Sequence, residues 1–408
     1  MIFDTVIIGG GIAGLYTTLE LCKKQDKTLL LESASVFGGR IYQYTDKTVS
    51  FPAGAARFNR KHERVIKLLK RFNLLDFRKD KGISSNIDFI DSKNRFSPKF
   101  KNKTGFEYIK KVLRKVEKMR NDDILRNYTF QEYAEKYLEK DEVEFLLVAA
   151  GYSGQLKHMN MFDAYNLFKN GIRDDVTFYA GYFHHLIESI VQELKKQGAK
   201  MLLNSHVKEV EFDNENDYYV VKYNNISRKA KRVVFALPQP ALLKISLLNP
   251  IHSILKNTIG CKPLCRVYAK FKPEDIWFKD IKKTVTNNAL RYIIPMDHEK
   301  GTIMISYTDD MYCEYWKKQQ NNQLKLKKSV VDLVKQTFNK KIAEPEEVWV
   351  FYWDCGVGYW NKGVNSVQVA DFLANPMENV YICGENYSLE QSWVEGALES
   401  AERVLKIM

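Results

Sequence analysis

The sequence predicts an α/β protein, α+β overall, with two domains of which one is discontinuous. Three observations predict this class. A strand, a glycine-rich turn, a helix and a second strand open the chain, a meander of short strands follows residue 201, and a strand–loop–helix unit closes the chain. With 408 residues the chain is long enough for two domains.

The opening unit carries a glycine pattern between its first strand, FDTVIIGG, and its first helix, IAGLYTTLELCKKQ. Gly9, Gly11 and Gly14 allow a tight turn and let a pyrophosphate reach the helix N-terminus, where unpaired N–H groups and the helix dipole favour anions. Glu32 ends the second strand, where a carboxylate can accept hydrogen bonds from ribose hydroxyls. The pattern indicates a Rossmann-type dinucleotide site, and by itself it does not separate NAD from FAD.

Two short segments after Glu32 indicate further contacts to a bound group. In SVFGGRIYQY, Gly39 and Arg40 can supply a second phosphate clamp at the same edge of the sheet. In SFPAGAARF the side chains are small, so a flat and bulky group can approach the backbone of Gly54, Ala55 and Ala56. The residue that follows them, Arg57, can bind an anion there.

The middle of the chain is predicted to contain one mostly helical region and one region of mixed strands and helices. Residues 105–190 are predicted to be mostly helical, and in GFEYIKKVLRKVEKM apolar residues recur at helical spacing with lysines opposite. Such a helix is typical of a solvated face over a core, and binding to a membrane or an acidic partner is the other interpretation. Residues 260–354 mix strands and helices.

The closing segment, VYICGENYSLEQSWVEGALESAERVL, together with the glycine pattern and the GGR segment, resembles the FAD-dependent amine oxidase superfamily. That superfamily includes monoamine, polyamine and L-amino-acid oxidases, and the motifs lie between residues 4 and 404. The resemblance implies that Gly384 and Glu385 lie against the FAD phosphates and ribityl chain, and that Trp393 faces the flavin ring. It also implies that Val394 begins the helix beneath the ring and that Val207 contacts the adenine through its backbone.

Within the superfamily, GAARFNRKHERVIKLLKRFNL resembles most the L-amino-acid oxidase branch, in which an arginine binds the substrate carboxylate. The planar guanidinium of Arg57 suits a carboxylate because it can donate two parallel hydrogen bonds. Pairing with a protein carboxylate or with an FAD phosphate is the other interpretation of this residue. The resemblance therefore predicts oxidation of the CH–NH2 group of an L-amino acid by hydride transfer to flavin N5, with oxygen as acceptor and imine or keto acid, ammonia and hydrogen peroxide as products.

Two alternatives stay open for the activity. One is an amine or polyamine oxidase of the same superfamily. The other is a flavin-binding protein without oxidase turnover that binds an acidic partner.

The second flavin-facing aromatic residue of the family is represented in WDCGVGYWNKG by Trp360 or Tyr359, and Gly363 favours Trp360. Some monoamine oxidases attach FAD through a cysteine just before the pocket tyrosine. Gly358 occupies that place, so non-covalent FAD is expected, although Cys355 lies nearby.

The resemblance has one departure. The family places a lysine in the strand after the return to the FAD domain, where it holds a water near the flavin. Here Arg266 occupies that position, with Lys262 close by. An arginine stays charged and cannot act as a base, but it can anchor a water or bind a substrate carboxylate. The departure affects the expected reaction with oxygen more than the hydride step.

The resemblance makes the fold class specific. Residues 1–58, 190–245 and 365–408 are predicted to form a discontinuous Rossmann-type FAD-binding domain. Residues 59–189 and 246–364 are predicted to form a mixed-sheet substrate-binding domain with an inserted helical subdomain at 105–189.

Composition limits the partners. Lys and Arg number 63 against 50 Asp and Glu, a formal charge of +13 that could attract nucleic acid, membranes or acidic substrates, or could reflect base composition alone. No nucleic-acid module and no apolar run of about 20 residues is recognisable.

Cysteine usage bears on metal binding and on location. The six cysteines are scattered without a CxxC pair, so no metal site is expected. The same scatter favours reduced thiols in a cytoplasmic protein. Oligomeric state stays open, with a homodimer as one option.

Overall fold

The computed structural model describes residues 2–77, 87–171 and 177–408. The chain divides into two compact units. Unit 1 comprises Met1–Lys79, Thr177–Cys261 and Val357–Met408, and unit 2 comprises Asp80–Val176 and Lys262–Gly356.

The described residues contain both strands and helices, each numbered in chain order. The strands are β1 Ile2–Ile8, β2 Thr28–Leu31, β3 Gln43–Thr45, β4 Ser50–Pro52, β5 Arg57–Asn59, β6 Asp88–Ile90, β7 Phe178–Ala180, β8 Lys200–Leu202, β9 Val207–Asp213, β10 Tyr218–Tyr223, β11 Ile226–Phe235, β12 Ile259–Lys270, β13 Thr284–Thr286, β14 Tyr292–Asp297, β15 Thr302–Asp309, β16 Glu347–Trp360 and β17 Val380–Ile382. The helices are α1 Ile12–Lys23, α2 Glu63–Arg71, α3 Gly105–Lys118, α4 Asp122–Arg126, α5 Phe130–Ala134, α6 Lys140–Ala149, α7 Gly154–His158, α8 Met161–Gly171, α9 Phe183–Lys196, α10 Gln239–Leu242, α11 His252–Thr258, α12 Met311–Lys317, α13 Gln323–Phe338, α14 Ser366–Ala374 and α15 Val394–Ile407.

Unit 1 is built on a seven-stranded sheet with the order β8-β2-β1-β11-β10-β9, and β17 also pairs with β11. The pairs β8–β2, β2–β1, β1–β11 and β11–β17 are parallel, whereas β9, β10 and β11 form the antiparallel meander. Because β1 and β2 are parallel neighbours, the glycine turn after β1 and Glu32 after β2 lie at the same edge of the sheet.

The sheet of unit 1 is covered on both faces. Ile7, Leu30 and Val234 are buried in one hydrophobic cluster with residues of α1, α9 and α15. Their chain neighbours, including Val6 and Leu29, are buried in a second cluster on the opposite face. Strands buried on both faces read as continuous apolar runs, which explains why VIIGG and TLLL could be recognised from sequence.

Unit 2 contains a six-stranded sheet with the order β16-β12-β15-β14-β13-β6. The pairs β12–β15, β15–β14 and β14–β13 are antiparallel, while β13 and β6 are parallel, so the sheet is mixed as predicted. Helices α3 to α8 form the helical region that the sequence placed at 105–189. The last part of that range differs from the prediction, since β7 and the start of α9 belong to unit 1.

Four segments predicted for the substrate domain lie in unit 1, namely residues 59–77, 177–189, 246–261 and 357–364. Packing and strand pairing explain the first two. Helix α2 packs on α15, and α9 packs on α1. Strand β7 pairs with β5. The apolar face of α2, with Val65, Leu68 and Leu69, is buried in the same cluster as α15, so the first segment of unit 1 extends past residue 58.

The described residues bear on the expectations about membrane spans, metal sites and cysteines. None of the helices in residues 2–77, 87–171 and 177–408 is long and apolar enough to cross a membrane. The same residues hold no group of three or more His, Cys, Asp and Glu side chains arranged for a metal ion. Four cysteines are free thiols, whereas Cys261 and Cys355 are in disulfide linkage, so the prediction of reduced thiols was wrong for these two.

Candidate active site

The glycine turn after β1 has two positions, Gly9 and Gly14, at which a side chain would overlap the backbone, and one position, Gly11, that borders open space. Gly9 has φ +110°, and a Cβ there would lie 2.4 Å from the carbonyl oxygen of Ala236. A Cβ on Gly14 would lie 1.9 Å from the carbonyl oxygen of Gly9, so α1 packs on the turn too closely for any side chain. A Cβ on Gly11 would meet nothing within 4 Å. The turn therefore leaves a cradle beside Gly11.

The cradle is lined by hydrogen-bond donors. Gly11 is the N-cap of α1, no side chain caps this end, and the first turn holds no acidic residue. The first N–H groups of a helix have no intrahelical partner, so here they are available to an anion. Gly39, with φ +59°, lies against Gly11, and the Gly38 N–H donates to the carbonyl oxygen of Gly10 at 2.9 Å. The predicted second phosphate clamp is thus next to the first.

Glu32 is held in place by the turn and keeps acceptor capacity. Its Oε2 accepts a hydrogen bond from the Gly10 N–H at 2.6 Å, and its Oε1 accepts one from the Ala34 N–H at 2.7 Å. A carboxylate offers about four acceptor positions, so ribose hydroxyls can still be bound. The Ser205 N–H donates to the Glu32 carbonyl oxygen at 2.7 Å. This bond brings the start of β9, where Val207 lies, to the same edge, and the adenine contact of Val207 stays a prediction.

The open cradle, the uncapped helix end and the spare acceptors of Glu32 fit a dinucleotide cofactor. A matched pair of substitutions tests this. We expect Gly11→Ala to destabilise the apoprotein by less than about 1 kcal/mol, because alanine is only a poorer N-cap there, and to weaken cofactor binding tenfold or more by filling the cradle. Gly14→Ala is expected to lower the free energy of unfolding by about 3 kcal/mol, because its Cβ overlaps backbone. Urea unfolding and cofactor fluorescence titration measure both, and unchanged cofactor affinity in Gly11→Ala would contradict the placement.

Arg40 is positioned by Glu385. Its Nη1 donates to Glu385 Oε2 at 2.7 Å, and the Glu385 side chain is only 5% exposed. The Glu385 carboxylate also accepts hydrogen bonds from the N–H groups of Gly358 (3.1 Å) and Ser392 (2.6 Å) and from Nδ2 of Asn386 (2.9 Å). The carboxylate is therefore turned into the protein, where it joins three chain segments. A phosphate would be repelled by Glu385, whereas Arg40 carries donors that can bind it.

The small-residue segment links Arg40 to Arg57. The Ala55 N–H donates to the Arg40 carbonyl oxygen at 2.9 Å, and a Cβ on Gly54 would lie 2.1 Å from that same oxygen. The carbonyl oxygen of Ala56 accepts a hydrogen bond from the Gly181 N–H at 2.7 Å. The chain thus runs with little side-chain bulk from the phosphate side of the site to the β5–β7 ribbon.

The β5–β7 ribbon determines which way Arg57 points. Arg57 pairs with Ala180, Phe58 with Tyr179, and Asn59 with Phe178. Phe58 and Tyr179 are buried in the core of unit 1. Because side chains alternate along a strand and directly paired residues share a face, Arg57 and Phe178 lie on the opposite face. The ribbon therefore separates a core face from a face that carries a half-buried guanidinium.

Aromatic residues lie on the Arg57 side of the ribbon. The rings of Phe178 and Trp393 are stacked, with centroids 5.6 Å apart and an interplanar angle of 14°. The His62 ring lies 4.8 Å from the Trp393 ring. Trp393 is the N-cap of α15, which begins at Val394 and has no side-chain cap. Trp393 was named from the sequence, and its place against the flavin ring stays a prediction. Phe178 and His62 were not named, since neither belongs to a recognisable motif.

His62 is buried and uncharged. Burial lowers its pKa from 6.5 to about 4. Between these two pKa values the unfolded chain therefore binds one proton more than the folded chain. The contribution of neutral His62 to the free energy of unfolding is fully present above pH 6.5 and is lost as the pH falls toward 4. The loss amounts to about 2 kcal/mol at pH 5. We expect His62→Phe, which cannot titrate, to remove that part of the difference in urea unfolding free energy between pH 7.5 and pH 5. An unchanged difference would contradict the assignment.

The prediction for Trp360 is corrected by the structure. The Trp360 side chain is 0% exposed and packs in the core with Ile8, Phe235 and Leu242. Its Nε1 donates to the Ser388 carbonyl oxygen at 2.9 Å. A ring with no accessible surface cannot line a site, so Trp360 stabilises the fold.

Arg266 belongs to unit 2. It pairs with Tyr307 across β12 and β15, and its guanidinium carbon lies 4.5 Å from the centre of the Tyr307 ring. Tyr152 is 5.1 Å from Tyr307, ring to ring. Burial acts to lower the pKa of Arg266, but nearby tyrosines raise it by more, so the residue stays charged. Lys262, the other candidate for the family lysine, pairs with Asp310 at 3.4 Å.

Comparisons with known proteins bear on this arrangement. A family model described as flavin-containing amine oxidoreductase matches residues 12–404. The chain is 21% identical to aplysianin-A of Aplysia kurodai over 501 aligned residues, which cover 99% of this chain and 89% of that protein. It is 20% identical to an uncharacterized protein of Acanthamoeba polyphaga mimivirus over 479 residues, covering 98% of this chain and 93% of the other.

A shorter match is more similar. Over 73 residues, the chain is 36% identical to the flavin-containing amine oxidase A of Equus caballus. That match covers 18% of this chain and 14% of the horse enzyme.

Proposed function

The chain belongs to the flavin-containing amine oxidoreductase family, and from that premise we propose that it oxidises L-amino acids, with Arg57 as the anchor of the substrate carboxylate. As a member of the family it is an FAD-dependent oxidoreductase. In the proposed reaction the CH–NH2 group is oxidised to an imine, which hydrolyses to a keto acid and ammonia, while oxygen is reduced to hydrogen peroxide. Bound FAD supplies the hydride acceptor.

Several residues would hold FAD. The diphosphate is expected at the N-terminus of α1 beside Gly11, with Gly39 and Arg40 as the second clamp. Glu32 would accept hydrogen bonds from the ribose, and Glu385 would act through Arg40. Gly358 stands where some relatives carry a linking cysteine, so the attachment is proposed to be non-covalent.

The observation that carries the proposal is the face shared by Arg57 and the aromatic stack. Arg57 lies on the side of the β5–β7 ribbon that holds Phe178, and Phe178 stacks on Trp393. A guanidinium binds a carboxylate in a defined orientation through two hydrogen bonds. Aromatic side chains next to it exclude water and restrict the rest of the substrate. Together these groups would orient the α-carbon and its amine.

Neutral His62 suits this environment. Its Nδ1 accepts a hydrogen bond from the Asn59 N–H at 3.4 Å, so the ring proton lies on Nε2 in the neutral form. Because His62 stays neutral above about pH 4, it adds no positive charge beside Trp393. The wall that His62 forms with Trp393 is therefore uncharged.

An amine or polyamine oxidase is the second candidate. The local identity of 36% to the horse flavin-containing amine oxidase A favours it. Amines lack a carboxylate, so in this case Arg57 would have another role, such as pairing with an acidic side chain. Arg266 would affect both candidates alike, because it concerns the reaction with oxygen.

Anaerobic reduction of the FAD-loaded protein separates the candidates. L-amino acids and polyamines are added one at a time without oxygen, and bleaching of the flavin absorbance is recorded. Bleaching by an L-amino acid supports the proposal and names the substrate. Bleaching by amines alone promotes the second candidate, and no bleaching by either class would refute both.

A further inference from the structure

The helical region of unit 2 contains a basic groove that the proposed oxidation does not use. It lies between α3 and the segment that joins α5 to α6, and its volume is about 280 Å³. The groove is lined by Lys111, Arg114, Lys115, Lys118, Tyr137, Leu138 and Glu142.

The four cations of the basic groove form one stripe on α3. Residues 111, 114, 115 and 118 are spaced by three and four positions, so their side chains share a face of the helix. All four are exposed, whereas Ile109, Val112 and Val116 on the other side of α3 are buried. Like charges at such spacing destabilise a helix slightly, so neither packing nor helix stability accounts for the stripe.

Local carboxylates leave most of this charge uncompensated. Lys111 pairs with Glu142 at 3.0 Å. Within the part of the chain that the structure describes, Arg114, Lys115 and Lys118 form no ion pair. The carboxylates closest in sequence to Glu142 are occupied by other cations, since Glu139 and Asp141 pair with Lys99, and Glu144 pairs with Arg95. The groove therefore presents four cations against one carboxylate.

The opposite wall of the basic groove supplies an aromatic ring. Tyr137 is partly exposed, and its ring is supported by the Tyr133 ring at 5.2 Å. The ammonium of Lys115 lies 5.9 Å from the centre of the Tyr137 ring. A basic groove with an aromatic platform is the combination that binds single-stranded nucleic acid, since phosphates take the cations and a base stacks on the ring.

The length of the stripe favours an extended ligand. Lys111 and Lys118 are seven residues apart, which corresponds to about 10 Å along a helix. A single phosphate would occupy one end of that distance, whereas successive phosphates of one strand can follow it. A membrane surface fits less well, because the apolar stripe of α3 is buried and cannot insert into lipid.

We propose that the basic groove binds a short stretch of single-stranded nucleic acid, with phosphates on Arg114, Lys115 and Lys118 and a base against Tyr137. The proposal concerns unit 2 alone and does not depend on the substrate of the oxidation.

Fluorescence anisotropy of a labelled 20-nucleotide oligo(dT) with the FAD-loaded full chain tests the proposal. Binding is measured between 50 and 200 mM salt. A variant that loses three phosphate contacts should show a slope of log K against log salt that is less steep by about 2. We expect Arg114→Gln/Lys115→Gln/Lys118→Gln to weaken binding tenfold or more at 50 mM salt. The matched control Lys325→Gln/Lys327→Gln/Lys328→Gln removes the same charge from α13 and should change binding less than twofold.

A second variant tests the aromatic platform. Tyr137→Leu keeps the apolar wall and should weaken binding about fivefold or more with an unchanged salt slope, because stacking is lost and no charge is removed. If the triple variants of α3 and α13 lose affinity for the oligonucleotide equally, the binding depends on net charge alone and the proposal is overturned. Absence of oligonucleotide binding at 50 mM salt, or binding to phosphatidylserine vesicles in its place, would overturn it as well.

Discussion

Replacement of Arg57 by alanine is expected to impair the anaerobic reduction of the flavin by L-amino acids. The ratio of the reduction rate constant to the dissociation constant of the amino acid should fall about 10²–10³-fold, equivalent to about 3–4 kcal/mol. The physical reason is the loss of a charge-assisted, two-bond contact that both binds the carboxylate and orients the α-carbon. Arg57→Lys should recover only part of the rate, because an ammonium lacks the planar fork.

Arg60 provides the matched control for Arg57. It lies three positions along the chain, but its Nε donates to the Tyr179 hydroxyl at 3.0 Å and its guanidinium lies 4.4 Å from the Phe77 ring. Arg60→Ala should therefore leave reduction by amino acids nearly unchanged. An equal loss in Arg57→Ala for amines that have no carboxylate would show that Arg57 supports the fold of the site and does not anchor a carboxylate.

Replacement of Glu385 by alanine is expected to have the largest effect on stability. It removes the carboxylate that the Arg40 guanidinium binds and that accepts hydrogen bonds from the N–H groups of Gly358 and Ser392. Removing one partner of a buried ion pair costs about 3–5 kcal/mol, and because the Arg40 side chain is 33% exposed we expect about 3 kcal/mol here. For a unit of this size that corresponds to a fall of roughly 10 °C in the melting temperature. Differential scanning calorimetry of the apoprotein measures it.

An exposed ion pair supplies the control for Glu385. Asp371 pairs with Arg403 at 3.0 Å, and its side chain is 67% exposed. Asp371→Ala should lower stability by less than about 1 kcal/mol. Titration with FAD separates the two roles of Glu385. If the Glu385→Gln protein folds yet binds FAD as well as the wild type, Glu385 does not act through Arg40.

Sequence reasoning succeeded where one short segment carries the signal. The turn at Gly9, Gly11 and Gly14 and the terminal Glu32 were recognisable because parallel strands buried on both faces leave long apolar runs, and because their carboxyl ends meet at one edge. The family followed from these motifs and the closing segment. The mixed sheet and the helical region were also predicted, though residues 59–77 and 177–189 join unit 1 through the packing of α2 and the pairing of β7.

Sequence reasoning failed where a residue's surroundings come from distant segments. Trp360 and Tyr359 are neighbours in a strand, and only the packing of that strand shows that the Trp360 ring is buried. Glu385 was expected to lie against the FAD phosphates and ribityl chain, which stays a prediction, but its pairing with Arg40, 345 positions away in the chain, was not foreseen. No local pattern reports such a partner.

The sequence by itself determined the family, the cofactor and the edge of the sheet where the cofactor's phosphates are expected, because each depends on backbone shape within a few residues. Only the tertiary structure decided which side chains share a face with Arg57. Phe178, Trp393 and His62 come from three separate segments, and their contact depends on the register of β5 against β7 and on the packing of α2 against α15. Strand register and helix packing are set by the burial of whole surfaces, and a motif of a few residues does not encode them.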